Sequence, residues 1–100
     1  MPTTTKIRLP VRVPNEGARR LAWWLMHKPA GTYDKMMRKL GIGQISMERM
    51  LAGEVTPGRD EGYRIFSYAG CAVLLTDWYR PAEGGWFDEP GERAVLRRAA

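Results

Sequence analysis

Residues 31–53 read GTYDKMMRKLGIGQISMERMLAG, and the fold turns on how this stretch is divided. Met36, Met37 and Leu40 recur at the spacing of one helical face, which predicts a short helix over 33–40 with Thr32 as its cap. Gly41-Ile42-Gly43 then supplies the backbone freedom of a tight turn. A further helix is expected over 44–52, closed by Gly53. At about 100° per residue its Met47, Met50 and Leu51 fall on one side. The opposite side is centred between Ile45 and Arg49 and flanked by Gln44, Glu48 and Ala52.

Upstream, Ala18, Leu21, Ala22 and Leu25 mark the buried face of a helix from residue 15 or 16 to about 27, capped by Asn15 and stopped by Pro29. Trp23 and Trp24 are adjacent and diverge by about 100°, so one of them belongs at the edge of the core or on another surface. Residues 6–13 alternate, with Ile7, Leu9, Val11 and Val13 on one side and Lys6, Arg8 and Arg12 on the other. Pro10 and Pro14 lack the donors of a central strand, leaving a docked edge strand or a basic extended arm.

Downstream, Thr56-Pro57 has the form of a cap followed by proline at the first helical position. The helix it opens runs through Ile65, Phe66 and Ala69 to a stop at Gly70, with Asp60 and Glu61 in its first turn. Residues 72–75 are apolar and fit a buried strand or a helix start equally well. Residues 76–80 read as one helical turn ended by Pro81, Trp86-Phe87 as an apolar anchor, and 92–98 as a last short helix. The expected organisation is an arm or edge strand over 1–14, a helical domain over 15–81 and a tail over 82–100.

One hundred residues with 44% apolar and 27% charged side chains are enough for one core, and fit neither a disordered nor a fibrous chain. The net charge of +5 points to a polyanionic partner. Residues 1–50 carry ten Lys/Arg against three Asp/Glu, or +7, and residues 51–100 carry six against eight, or −2, so the basic character sits in the first half. No apolar run reaches the roughly 18–20 residues of a membrane span, and the first residues lack the form of a secretory signal, so no membrane is expected and the compartment is read as cytoplasmic. The single cysteine, Cys71, rules out an intrachain disulfide and a cysteine-based metal cluster; it is expected to be a small packed residue.

Two short helices joined by a glycine turn in a basic half-chain form the helix-turn-helix pattern. Residues 16–80, with Thr32, Leu40-Gly41-Ile42, Gly53, Pro57 and Asp77-Trp78 at the corresponding places, resemble the Cro/C1-type (XRE-like) helix-turn-helix regulators. Met37 stands where that family usually has alanine, Tyr33 where it has glutamine, and Gly43 where it has a Ser or Thr cap. The resemblance implies a mainly α, four- to five-helix lambda-repressor-like domain. It implies a homodimer on a pseudo-palindromic operator, acting in transcription as a repressor.

The chemistry of the outer face of helix 44–52 suits base reading. Arg49 can bond guanine twice, Gln44 adenine, Glu48 can accept from cytosine, and Ile45 can meet a thymine methyl. Backbone contacts are expected from Lys28, Thr32, Tyr33, Lys35 and Ser46, and arm contacts from Lys6, Arg8 and Arg12. Arg19, Arg20, Arg38 and Lys39 can equally form a solvated helical surface. The dimer contact is expected either from residues 7–13 or from the apolar residues Trp78, Tyr79, Trp86 and Phe87. His27 suits a helix C-terminus. No nucleophile, base and oxyanion site assembles, so no enzyme, no cofactor and no metal are expected. Two other functions stay open: a protein-interaction module of the same fold, such as an antitoxin-like or regulator-sequestering factor, and non-specific nucleoid binding.

Overall fold

A computed structural model describes residues 4–91. It is mainly α: helices α1 (Glu16–Met26), α2 (Thr32–Leu40), α3 (Gln44–Leu51) and α4 (Arg59–Tyr68), then a 3₁₀ turn over Leu75–Tyr79, with no strand among the described residues. Leu21, Met36, Met47, Met50, Leu51, Ile65 and Val73 form the centre of one core.

The caps explain several boundaries. The Asn15 side chain accepts the Ala18 amide at 2.8 Å and opens α1 as expected. Gly41, at φ 68°, ends α2 in the left-handed region, where a side chain is strained. The Arg64 guanidinium donates to the Leu40 carbonyl at 2.6 Å and ties that end to α4.

Two expected starts are corrected. Gly31, not Thr32, is the residue before α2; the Thr32 hydroxyl donates back to the Pro29 carbonyl at 2.8 Å and so caps no helical amide. Similarly α4 begins at Arg59 behind Gly58, while Pro57 is buried in a cleft it lines with Gly62, Leu75 and Trp78. Asp60 and Glu61 do lie in the first turn.

The segment after α4 is neither a strand nor an α-helix. Gly70 and Cys71 both take positive φ, which turns the chain sharply, and Val73 alone of this stretch is fully interior. Cys71 is exposed rather than packed. The buried Asp77 carboxylate accepts the Leu74 amide at 2.8 Å and Arg80 at 3.0 Å, organising the 3₁₀ turn. Trp78 then lies against α1 so closely that a Cβ at Gly17 would overlap its ring.

Arg19 and Arg20 are the largest departure from expectation, because both are buried. Their partner is Glu16, wholly inaccessible at 0% exposure, whose carboxylate accepts Arg19 at 2.8 Å, Arg20 at 2.7 Å and the Glu83 amide at 2.9 Å. The remaining guanidinium donors reach main-chain carbonyls of the C-terminal segment: Arg19 those of Gly85 (3.3 Å) and Asp88 (3.1 Å), Arg20 that of Gly91 (3.1 Å). A buried charge is tolerated only when paired and hydrogen-bonded, and this network meets both conditions. It draws residues 83–91 onto α1, and Trp86 enters the core. The last helix expected over 92–98 lies outside the described residues.

Residues 6–13 form an extended arm with no sheet to dock on. Ile7, Leu9 and Val13 pack against the core while Lys6, Arg8 and Arg12 are exposed, as the alternation requires. Val11 breaks the pattern at 99% exposure, because the chain bends at residues 11–12, just after Pro10. Trp24 packs on the core edge-to-face with Tyr68, and Trp23 lies further out against His27, at 4.2 Å between rings.

Candidate functional site

The two sides of α3 differ as its spacing predicts. Met47, Met50 and Leu51 are buried, and Ile45, Gln44, Ser46 and Arg49 are exposed, with Glu48 and Ala52 half-buried at the margin. Ile45 is 68% exposed, a large apolar side chain held in water at the middle of a polar face. Gly43 provides no side chain to cap the helix, whose last turn ends at Leu51 with Ala52 as its cap. Gln44 donates to Glu48 at 3.1 Å, so the amide and carboxylate are oriented together along one edge.

Arg8, Leu9 and Pro10 of the arm face Ile45, Glu48, Arg49 and Ala52 across an open groove. The groove brings together the guanidinium groups of Arg8 and Arg49, the carboxylates of Glu48 and Glu54 and the exposed aliphatic side chain of Ile45. Such a surface offers paired donors, an acceptor and an apolar contact to a flat polar ligand edge.

The other expected contact residues divide. Lys28, Lys35 and Ser46 are exposed, with the Lys28 ammonium 5.1 Å over the Trp24 ring. Arg38 and Lys39 are solvated in the last turn of α2, where cations complement the helix dipole. Tyr33 is corrected: it is only 4% exposed, and its buried hydroxyl has no hydrogen-bond partner among the described residues. Burial, then the charges of Glu48 and Asp34, push its pKa up to about 12. It is a core residue and presents no phenol to an external phosphate. Thr32 is half-buried and its hydroxyl proton is donated to the Pro29 carbonyl rather than offered to a phosphate.

Sequence reasoning missed Glu16, Arg19, Arg20 and Trp86 as a connected set. The signal was present in part, since Glu16 stands three and four residues before the two arginines, the spacing of facing side chains on a helix. Their burial was not readable, because it depends on carbonyls more than 60 residues away.

Among the described residues, no group of three or more His, Cys, Asp or Glu is placed to hold a metal ion, and no helix is long and apolar enough to cross a membrane. Compared with protein-family models, curated proteins and solved structures, the chain matches none.

Proposed function

We propose that the protein is a sequence-specific, double-stranded DNA-binding regulator of transcription, with α2 and α3 as a helix-turn-helix unit of the Cro/C1 kind in a lambda-repressor-like domain. The observation that carries this reading is the outer face of α3, where Gln44, Ile45 and Arg49 are exposed and Glu48 lies half-buried at the margin, while Met47, Met50 and Leu51 hold the helix to the core. These side chains have the donors, acceptor and apolar group that distinguish base pairs in the major groove. Lys28, Lys35 and Ser46 supply backbone contacts, and the basic first half of the chain supplies attraction to phosphate. The reading is one of binding, with no catalytic step and no cofactor, in the cytoplasm on the nucleoid.

A homodimer on a pseudo-palindromic operator goes with this function. Ile7, Leu9, Val13, Trp78 and Trp86 are used inside the protomer; of the expected apolar contact residues Val11, Tyr79 and Phe87 stay exposed, and the contact is assigned to Tyr79 because it adjoins the exposed Leu75 and Tyr63. Arg59, Asp60 and Arg64 border this patch, so an arginine of one copy can meet the Asp60 carboxylate of a second copy.

Selection of bound sequences from a random duplex pool at two salt concentrations tests the reading. A two-fold symmetric motif is expected, with affinity falling steeply as salt rises, and Arg49→Ala should relax one position of each half-site. Uniform, salt-sensitive binding would make the chain a non-specific nucleoid protein. No binding at low salt would overturn the DNA reading in favour of a protein-interaction module, for which the Gln44–Glu48 pairing on the outer face is the supporting observation.

A further inference from the structure

The arm is fixed at two points. Near its start the Thr5 amide donates to Asp34 Oδ2 in the first turn of α2, at 2.9 Å. Five residues on, the Pro10 carbonyl accepts the indole N–H of Trp86 at 2.7 Å. Between these points Ile7 and Leu9 rest on the core, and Arg8, exposed, borders the groove it shares with Ile45, Glu48, Arg49 and Glu54. Trp86 is itself held, since Arg19 binds the carbonyls of Gly85 and Asp88 on either side of it. The chain of contacts runs from buried Glu16 through Arg19 to the C-terminal segment, from there to Pro10, and so to the position of Arg8.

We infer that Arg8 is a specificity-determining residue of the same duplex-reading face as Arg49, and that Trp86 is a positioning residue that acts through it. The inference rests on the proposed DNA-binding function. A guanidinium on a free arm finds phosphates wherever they lie and adds affinity to every sequence alike. One fixed beforehand at a set distance from α3 loses little conformational freedom on binding and meets the same part of each half-site every time. Arg12 is the internal contrast: exposed like Arg8, it lies past the bend at residues 11–12 and does not border the groove.

Sequence selection and equilibrium binding on the full chain test this with Arg8→Ala, Arg12→Ala, Trp86→Phe and the double variant of Arg8 and Trp86. Arg8→Ala should relax preference at one position per half-site and weaken binding to the selected duplex by about tenfold. Arg12→Ala should weaken all duplexes alike and reduce the salt slope. Trp86→Phe, which keeps an aromatic ring but loses the donor to Pro10, should reproduce the relaxation of Arg8→Ala, and the double variant should add nothing to it. If Trp86→Phe lacks a cooperative melt, Asp34→Ala removes the acceptor of the Thr5 amide, releases the other fixed point and must give the same relaxation. Equal behaviour of Arg8→Ala and Arg12→Ala would overturn the inference while leaving the DNA reading intact, as would full retention of preference in a folded Trp86→Phe or Asp34→Ala. A wild-type chain that enriches no sequence would overturn both.

Discussion

Replacing Tyr33 with phenylalanine separates a core role from a contact role by a single atom. The ring is buried and its hydroxyl has no hydrogen-bond partner among the described residues. A buried, unpaired polar group costs about 1–3 kcal/mol relative to its hydrated state. Phe keeps the ring and removes that cost, so Tyr33→Phe should stabilise the fold by roughly 1 kcal/mol, raising Tm by about 4–8 °C for a domain of this size. The pH dependence carries a sign of its own. The phenol titrates at about 12 in the folded chain against an ordinary 10.0, raised by burial first and then by Glu48 and Asp34. The folded state therefore holds its proton more tightly than the unfolded one. This group's contribution is fully present below pH 10 and is lost as pH rises towards 12. The advantage of Tyr33→Phe should widen across that interval and be constant below it. Thermal melts of both proteins from neutral to alkaline pH, with duplex affinity measured at neutral pH, make the assay. A lower Tm for the variant, or a tenfold loss of duplex affinity at neutral pH, would show that the hydroxyl is engaged and that Tyr33 is not solely a core residue.

Further outcomes follow from the charged groups. Glu16→Ala leaves two buried guanidinium groups without their carboxylate and should cost about 3–5 kcal/mol in urea unfolding, a large part of the total stability of a small domain; a loss below about 1 kcal/mol would mean that solvent reaches the network. The Asp34 carboxyl is held below its ordinary 3.8 by the Thr5 hydroxyl first and then by the Thr5 amide, which outweigh desolvation, with Arg38 adding the least. With a depressed folded value, the Thr5–Asp34 contact should persist above pH 3.8 and be lost only as pH falls below it, seen as a pH-dependent shift of the Thr5 amide resonance. A midpoint at or above 3.8, or an identical shift in Asp34→Asn, would count against the contact.

Some of this protein was legible because a local rule decided it. The inner and outer faces of α3 follow from the helical period, since Met47, Met50 and Leu51 can be buried together only by turning Ile45 and Arg49 outward. Gly41 and Gly70 end their helices in the left-handed region, as their lack of a side chain allows. The alternation of residues 6–9 placed Ile7 and Leu9 inward with Lys6 and Arg8 outward. The cap residues were less legible. Thr32 and Pro57 have the right chemistry to start a helix, yet Thr32 bonds the carbonyl of Pro29 and Pro57 is buried beside Trp78, so in each case a glycine takes the place before the first turn.

By itself the sequence determined a mainly helical chain, the short helix pair about Gly41, the polarity of α3 and the basic first half, because each depends on residues within a few turns of one another or on a sum over charges. That Arg19 and Arg20 are interior, that Tyr33 is closed off from solvent, and that Arg8 shares a groove with Arg49 are properties of the folded chain alone. Those outcomes depend on partners distant along the chain. A guanidinium is solvated or buried according to whether a carboxylate and main-chain carbonyls come to meet it, and here the carbonyls arrive from the C-terminal segment that carries Trp86.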